Sequence, residues 1–213
     1  MAWFRRNQRY DRSRLLRKAA GARKKGRRKK AIELYRKVLA VEPDDARVHR
    51  KVAPLLAATK QRDDAWQSYQ RAAETLRGQG FVDQAIGVLR DAARYLADKP
   101  ELWHALCRLE LERHRPADAV SGLLEGAGHL RSRRNRESAL SLLLAARKIA
   151  PDAFKPNLAL GRQLVRCGYR DRGVHLLEQL ADRTVGVQRR AVRALLFRIS
   201  PTPAAAWRWL RAA

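Results

Sequence analysis

The sequence has few cysteines and no long apolar run. Its 213 residues include two cysteines, Cys107 and Cys167, which are too few for a disulfide scaffold or a multi-cysteine zinc site. Its longest uninterrupted apolar runs are segments such as Leu142 to Ala146, which are far shorter than the roughly 18 residues needed to cross a bilayer. The first residues, Met1 to Arg6, lack the apolar stretch of a signal peptide. We therefore expect a soluble, cytoplasmic protein in a reducing compartment.

Acidic residues are also scarce. The chain has 47 Lys and Arg residues but 21 Asp and Glu residues, so its formal net charge is +26. Residues 1–30 hold fourteen of the basic residues and one acid, Asp11, which places half of the net charge in a seventh of the chain. This excess predicts an anionic partner, although the preference for Arg over Lys, 36 to 11, agrees equally well with genomic base composition. Both interpretations stay open.

Motifs for catalysis, metals and cofactors are missing. The five histidines include no i,i+4 pair around a Glu, and none lies at ligand spacing from a cysteine. The stretch Gly78-Gln79-Gly80 follows a helical pattern and lacks the third glycine of a phosphate-binding loop. Cys107 lies at a small-residue packing position, which predicts a buried structural thiol. We therefore expect no enzyme activity, no catalytic, metal or cofactor-binding residues, and no small-molecule substrate.

An internal repeat organises the rest of the chain. Sliding the sequence along itself aligns 46–99 with 100–153, and the matching positions are mostly Ala and Leu. They recur at helical spacing, as in Ala85, Leu89 and Ala92, which predicts one buried stripe per helix. Gly- and Pro-containing breaks separate about twelve such stripes, and no stretch alternates like a strand. The pattern predicts an all-α stack of antiparallel helices with a three-helix, 54-residue superrepeat.

These residues resemble the tetratricopeptide repeat (TPR) family, whose unit is a helix-turn-helix of about 34 residues. The family spacing is matched in the unit 12–45 by Leu15, Ala19, Ala31, Tyr35, Val38 and Pro43, and in the unit 46–79 by Ala53, Ala65, Tyr69 and Ala72. Trp103, Leu106, Cys107, Ala119 and Leu123 continue it. The resemblance implies a right-handed α-solenoid over residues 12–203, after a basic and aromatic segment, 1–11, and before a capping helix, 204–213. We expect Trp66, Tyr69, Phe81, Tyr95, Trp103 and Phe154 to fill the core.

The family resemblance implies a protein-binding scaffold or adaptor. If first helices line the groove, its wall is basic, and an acidic protein segment or a subunit of a larger complex is the expected partner. The predicted partner-binding residues are Arg17, Arg23, Lys24, Arg47, Arg50, Lys51, Arg71, Arg77, Arg108, Arg131, Arg162 and Arg166. The places of the family's chaperone-binding clamp read Leu16, Ala20, Lys51, Gln67 and Arg71, so chaperone binding is not implied. The three-helix superrepeat leaves open which helix faces line the groove.

The basic run near the N-terminus supports two alternatives. The predicted anionic-ligand patch consists of Lys24, Lys25, Arg27, Arg28, Lys29 and Lys30. Such a run is typical of phosphate contacts, which predicts a nucleic acid as a second possible partner. Trp3, Phe4 and Tyr10 interleave with the arginines before it, which allows base stacking or attachment to an anionic membrane surface. The run also fits the solvated side of a first helix pair that has no ligand.

Overall fold

Helices account for the regular structure of this chain. The computed structural model describes residues 10–211, apart from the side chain of Ala205, and these residues contain twelve α-helices, a short 3₁₀ helix (Arg133–Asn135) and no strand. The α-helices are α1 Arg12–Lys24, α2 Arg28–Leu39, α3 Ala46–Ala58, α4 Arg62–Gly78, α5 Val82–Leu96, α6 Pro100–Glu112, α7 Pro116–His129, α8 Arg136–Ile149, α9 Phe154–Arg166, α10 Arg170–Arg183, α11 Gly186–Ile199 and α12 Pro203–Leu210. The predicted all-α class is confirmed. Among the described helices, none combines the length and apolar character needed to span a bilayer.

The chain divides into two compact units, Met1–Leu96 and Ala97–Ala213. In unit 1, each of α1 to α4 packs against the next helix, and α3 also contacts α5. In unit 2, each helix packs against the next, and α6 contacts α8, while α9 contacts both α7 and α11. Packing on the next and the second-next helix is the pattern of a TPR-like α-solenoid, as the sequence predicted. The helix expected to cap the C-terminus corresponds to α12, which packs against α11; its role as a cap stays a prediction.

The period of the superrepeat is visible in the helix boundaries. Helices α3, α4 and α5 begin at Ala46, Arg62 and Val82, and α6, α7 and α8 begin one full period later, at Pro100, Pro116 and Arg136. Helices α9 and α10 continue the series at Phe154 and Arg170, so the repeat extends into the part of the sequence where its pattern is weaker. In unit 2, α6 and α8 contact each other, while α7, α9 and α11 form a second contacting series. Because the repeat has an odd number of helices, α6 and its equivalent α9 therefore belong to different layers.

The turn after the first helix of each copy has a residue with left-handed backbone conformation at the same position. Lys60, His114 and Gly168, which occupy equivalent positions in successive copies, have φ angles of 63°, 56° and 95°. In each turn the next residue's N–H bonds a carbonyl five residues earlier, as in Gln61 to Leu56 at 3.0 Å and Tyr169 to Leu164 at 2.9 Å. This is the Schellman ending, which satisfies carbonyls that the helix leaves unpaired. The repeat therefore preserves the turn even where glycine is absent.

One buried position secures the turn before each first helix. The side chains of His49, Trp103 and Asn157, again equivalent in the repeat, bond the carbonyl oxygen six residues earlier at 2.7, 2.9 and 2.6 Å. A carbonyl oxygen only accepts, so His49 holds a proton on Nε2 and donates like the indole and the amide. Three different side chains therefore serve the same purpose, which a search for identical residues does not detect.

Candidate functional site

The twelve predicted partner-binding residues are all exposed. Eight of them lie in unit 1, on α1, α3 and α4, and four in unit 2, on α6, α9 and the segment that follows α7. In unit 1, Arg47 and Arg50 lie in a cleft on one face of α3, whereas Arg71 lines a second cleft beside the opposite face. In unit 2, Arg108 lies on α6 and Arg162 on α9. In unit 1 the predicted residues thus lie beside both faces of α3, and the part of all twelve in binding stays a prediction.

Several of these cations have intramolecular partners. The Arg131 Nε donates to the Gly128 carbonyl oxygen at 2.8 Å, and Arg166 Nη2 donates to the Arg131 carbonyl oxygen at 3.3 Å. Arg71 Nη1 lies 3.8 Å from the Asp44 carboxylate. By contrast, the side chains of Arg47 and Arg50 make no hydrogen bond or ion pair to any described residue. We therefore take Arg47 and Arg50, which have no partner among the described residues, as candidate ligand contacts. Arg71, Arg131 and Arg166 contribute instead to internal contacts.

Arg47 and Arg50 line a cleft of about 460 Å³ formed by α1, α3 and the turn between α4 and α5. Its other lining residues are Arg12, Asp44, Asp45, Ala46, Leu76, Gln79, Phe81 and Gln84. Phe81 is 52% exposed, and Tyr95 at the far end of α5 is also exposed, so the prediction that both fill the core was wrong. Phe81 comes directly after the left-handed Gly80, where the chain leaves one helix for the next. The cleft therefore combines two unpaired cations with an accessible aromatic ring.

The two acids of this cleft have cationic partners. Arg12 Nε lies 2.8 Å from a Glu42 oxygen and its Nη2 bonds Asp45, while the Asp45 carboxylate caps α3 by accepting from the Val48 N–H at 3.0 Å. Burial on its own would raise the pKa of Asp45, but the bonds from Arg12 and Val48 outweigh it and hold that pKa below its ordinary value. Asp45 is thus ionised near neutral pH and neutralised by Arg12. Asp44 faces Arg71, so the positive charge of Arg47 and Arg50 is not cancelled.

The predicted anionic-ligand patch forms the turn between α1 and α2, which we call the cationic turn: Lys24, Lys25, Arg27, Arg28, Lys29 and Lys30. All six side chains are exposed, and none makes a hydrogen bond or ion pair to another described residue. Gly26, with a φ of 69°, closes the turn, and the Arg27 N–H bonds the Ala22 carbonyl oxygen at 2.9 Å. The structure therefore brings the cations of two helix ends together.

A second cleft of unit 1 is polar and was not predicted. It has a volume of about 750 Å³ and lies between α2 and α4, where Arg36 Nη2 bonds the Asp64 carboxylate at 2.5 Å. His49, which is buried, contributes to its lining, and the His49 Nδ1 atom has no hydrogen-bond partner among the described residues. The sequence signal that could have identified His49 is its alignment with Trp103 and Asn157 in the superrepeat.

Neither cysteine of the described residues is activated. Burial raises the pKa of the Cys107 thiol, and burial followed by the Glu137 charge raises that of Cys167, so both favour the unreactive thiol form. The described residues contain no cluster of three or more His, Cys, Asp or Glu side chains arranged to hold a metal ion.

Comparison with known proteins finds similar solved structures. No protein-family model matches the chain, and no curated protein matches it. Similar solved structures include RapI in its apo form (14% identity, TM-score 0.46, covering 93% of this chain and 61% of RapI). A tetratricopeptide repeat protein from Parabacteroides merdae shares 13% identity (TM-score 0.35, 94% and 91% covered). TPR-like repeats of a putative kinesin light chain from Podosopora anserina share 17% (TM-score 0.42, 95% and 94% covered).

The chain spans only part of the length of some of these structures. The chain spans 61% of RapI and 45% of yeast Tom70, to which it is also similar (14% identity, TM-score 0.34). Two of the three structures compared above are described as TPR or TPR-like proteins. The resemblance to TPR proteins predicted from the sequence agrees with the helix order and the helix packing described above.

Proposed function

We propose that this chain is a non-enzymatic helical-repeat scaffold that binds an acidic segment of a protein partner in the cleft between α1, α3 and α5. The observation that supports it is the pair Arg47 and Arg50, exposed and without a partner among the described residues, beside the half-exposed ring of Phe81. Stacked helix arrays offer extended surfaces of this kind to peptides. The proposal assigns the acidic partner predicted from the sequence to this cleft of unit 1.

The cleft has the features that recognise an acidic peptide with one apolar residue. Arg47 and Arg50 are three residues apart on one helix, so their side chains start about 5–6 Å apart. That spacing suits two carboxylates from neighbouring turns of a helix or from alternate residues of a strand. Charge-assisted bonds from guanidinium groups are about twice as strong as neutral ones. Phe81 and Leu76 supply the apolar contact that anchors most peptide interfaces.

The net charge of the chain contributes mainly to the rate of encounter. A formal charge of +26 attracts an acidic segment from a distance, and this attraction weakens as salt screens it. The specific contacts in the cleft then decide how long the complex lasts. We expect moderate salt to slow association more than it speeds dissociation.

Peptide display tests this proposal. A random-peptide library selected on the full chain is expected to enrich sequences that place an aromatic or aliphatic residue beside two Asp or Glu residues. The variant Arg47→Gln/Arg50→Gln is expected to bind a selected peptide about tenfold or more weakly, because two charge-assisted contacts are lost. The matched control, Arg14→Gln/Lys18→Gln on α1, removes the same charge elsewhere in unit 1 and should change the affinity less than about threefold.

The same selection can refute the proposal. Enriched peptides without acidic residues, or equal losses in the two double variants, would show that the cleft does not recognise acidic segments. Phe81→Ser provides a further check, since losing the apolar anchor should weaken binding without changing its salt dependence. Circular dichroism of every variant confirms that helicity is retained.

A further inference from the structure

The cationic turn between α1 and α2 is a charged surface separate from the peptide cleft. Its six side chains are exposed and have no partner within residues 10–211. Together with Arg23 they give seven positively charged residues among the eight of 23–30. We propose that this turn binds the phosphate backbone of a nucleic acid without base specificity. This activity lies beyond the peptide-binding role and does not depend on it.

A second turn of unit 1 shows that the fold does not require these cations. The turn between α4 and α5, one repeat period later, has the same geometry: Gly80 has a φ of 83° where Gly26 has 69°. The Phe81 N–H bonds the Leu76 carbonyl oxygen at 2.8 Å, which matches the 2.9 Å bond from Arg27 to Ala22. Yet residues 78–84 of that turn read Gly-Gln-Gly-Phe-Val-Asp-Gln and contain no cation. The same backbone thus forms without positive charge.

Arg28 also lacks the structural purpose that arginine serves at its position in the repeat. Its equivalent Arg136, two repeat periods later, begins α8 and donates from Nη1 to the Arg166 carbonyl oxygen at 3.0 Å. Arg170, which begins α10, donates in the same way to the Ile199 carbonyl oxygen at 2.6 Å. Arg28 begins α2 and makes no side-chain bond to any described residue. Its guanidinium group therefore remains available for an external acceptor.

Packing beneath the turn holds the cations in place. The apolar faces of α1 and α2 are buried through Ala19, Ala22, Ala31, Ile32 and Tyr35. Two helix ends fixed in this way present their cations from a rigid base, so little backbone entropy is lost when a ligand binds. The flexible part of the site is confined to the side chains, which suits contact with phosphates of varied spacing.

A phosphate backbone fits this surface better than an acidic protein or a membrane does. Apart from Gly26, residues 23–30 are all Lys or Arg, so the turn offers no apolar or aromatic anchor. Peptide interfaces rely on buried anchors, and a basic cluster attaches stably to an anionic membrane when an apolar or lipid anchor accompanies it. Nucleic acid needs neither, because binding to phosphates is favoured by the release of condensed counterions. Lys and Arg together are the side chains that supply this contact.

Fluorescence anisotropy with labelled probes tests the proposal. The probes are a 20-nucleotide mixed-sequence RNA and a 20-base-pair DNA duplex, each titrated with the full chain between 50 and 200 mM salt. One variant changes all six residues of the cationic turn to Gln. A matched control changes six other exposed cations without internal partners to Gln: Arg133, Arg134, Lys148, Lys155, Arg190 and Arg198. The two variants have the same net charge, so a difference between them reports the location of the charge.

The turn variant is expected to lose tenfold or more in affinity at 150 mM salt, and the control about threefold or less. For the duplex, the slope of log affinity against log salt should fall by about 0.9 for each phosphate contact removed, and by little in the control. Equal losses in the two variants, or no binding by the unmodified chain, would overturn the proposal. A larger loss by the turn variant in binding to poly-glutamate or to phosphatidylserine vesicles than in binding to the nucleic acids would overturn it as well. If the turn variant with six substitutions loses helicity, the triple variant Lys25→Gln/Arg27→Gln/Arg28→Gln gives the same comparison with fewer changes.

Discussion

Some arginines of unit 2 bond main-chain carbonyl oxygens, whereas several arginines of unit 1 have no partner among the described residues. In unit 2, Arg136, Arg170 and Arg189 donate to main-chain carbonyl oxygens at 3.0, 2.6 and 2.6 Å, and so satisfy groups at the ends of helices. In unit 1, Arg28 and the rest of the cationic turn make no such bonds within the described residues, and neither does Arg47 on α3. An arginine-rich sequence thus contains two populations, one that stabilises the fold and one that is available to partners.

A packing difference between the units predicts the largest effect. Trp103 in unit 2 lies against Gly126, where an added Cβ would stand 2.6 Å from the indole Cδ1 and overlap the ring. The equivalent positions in unit 1, one repeat period earlier, are the smaller His49 and the larger Ala72, both buried. We expect Gly126→Ala to lower the free energy of unfolding by about 2–3 kcal/mol, because the methyl group overpacks the site. Urea unfolding followed by circular dichroism measures this change.

A double variant tests whether size complementarity is the cause. Trp103→His in the Gly126→Ala chain recreates the His and Ala combination of unit 1. Trp103→His alone should be destabilising because it empties a large buried volume. The double variant should therefore be more stable than the sum of the two single effects predicts, by about 1 kcal/mol or more. Additive losses would contradict the idea that the two positions compensate each other in volume.

The two arginine populations predict a smaller difference between matched positions. Arg136→Gln removes the bond to the Arg166 carbonyl oxygen, and we expect a loss of about 1–2 kcal/mol in the free energy of unfolding. Arg28→Gln, at the equivalent position in unit 1, removes no internal bond and should stay within about 0.5 kcal/mol of the unmodified chain. Thermal and urea unfolding of the two variants compare them directly. A comparable loss in Arg28→Gln would mean that the cationic turn stabilises the fold after all.

The sequence predicts the helices well because short-range signals determine them. Turns were expected around Gly26, Gly80, Gly168 and Pro151, and each lies between two helices of the structure. The break at 131–135 was not among the expected turns, since Arg, Ser and Asn there carry no Gly or Pro signal. The break at 184–185 was missed as well, because Thr and Val are residues typical of regular structure.

Contacts between residues on different helices were beyond sequence reasoning. Whether Arg136 reaches a carbonyl oxygen, or Arg47 reaches nothing, depends on how one helix end lies beside another, and the charge pattern does not contain that information. The same holds for Phe81, whose spacing near the packing positions favoured burial although the turn exposes it. The location of the candidate sites therefore required the structure, whereas the residue types that form them did not.

The smallest expected effect concerns the first turn of α2. In the equivalent helices α5 and α8 this turn contains an acid, Asp83 and Glu137, whereas α2 has Lys29 at that position and no acid. Because the N-terminus of a helix carries a partial positive charge, Lys29→Glu should raise the free energy of unfolding by about 0.3–1 kcal/mol. The same change should weaken nucleic-acid binding, since it replaces a cation of the turn by an anion. Lys29→Gln isolates the loss of the cation from the gain of the acid. A gain in stability together with a loss in affinity would show that the turn is optimised for an anionic ligand at the expense of the helix, while unchanged affinity would argue against its role in binding.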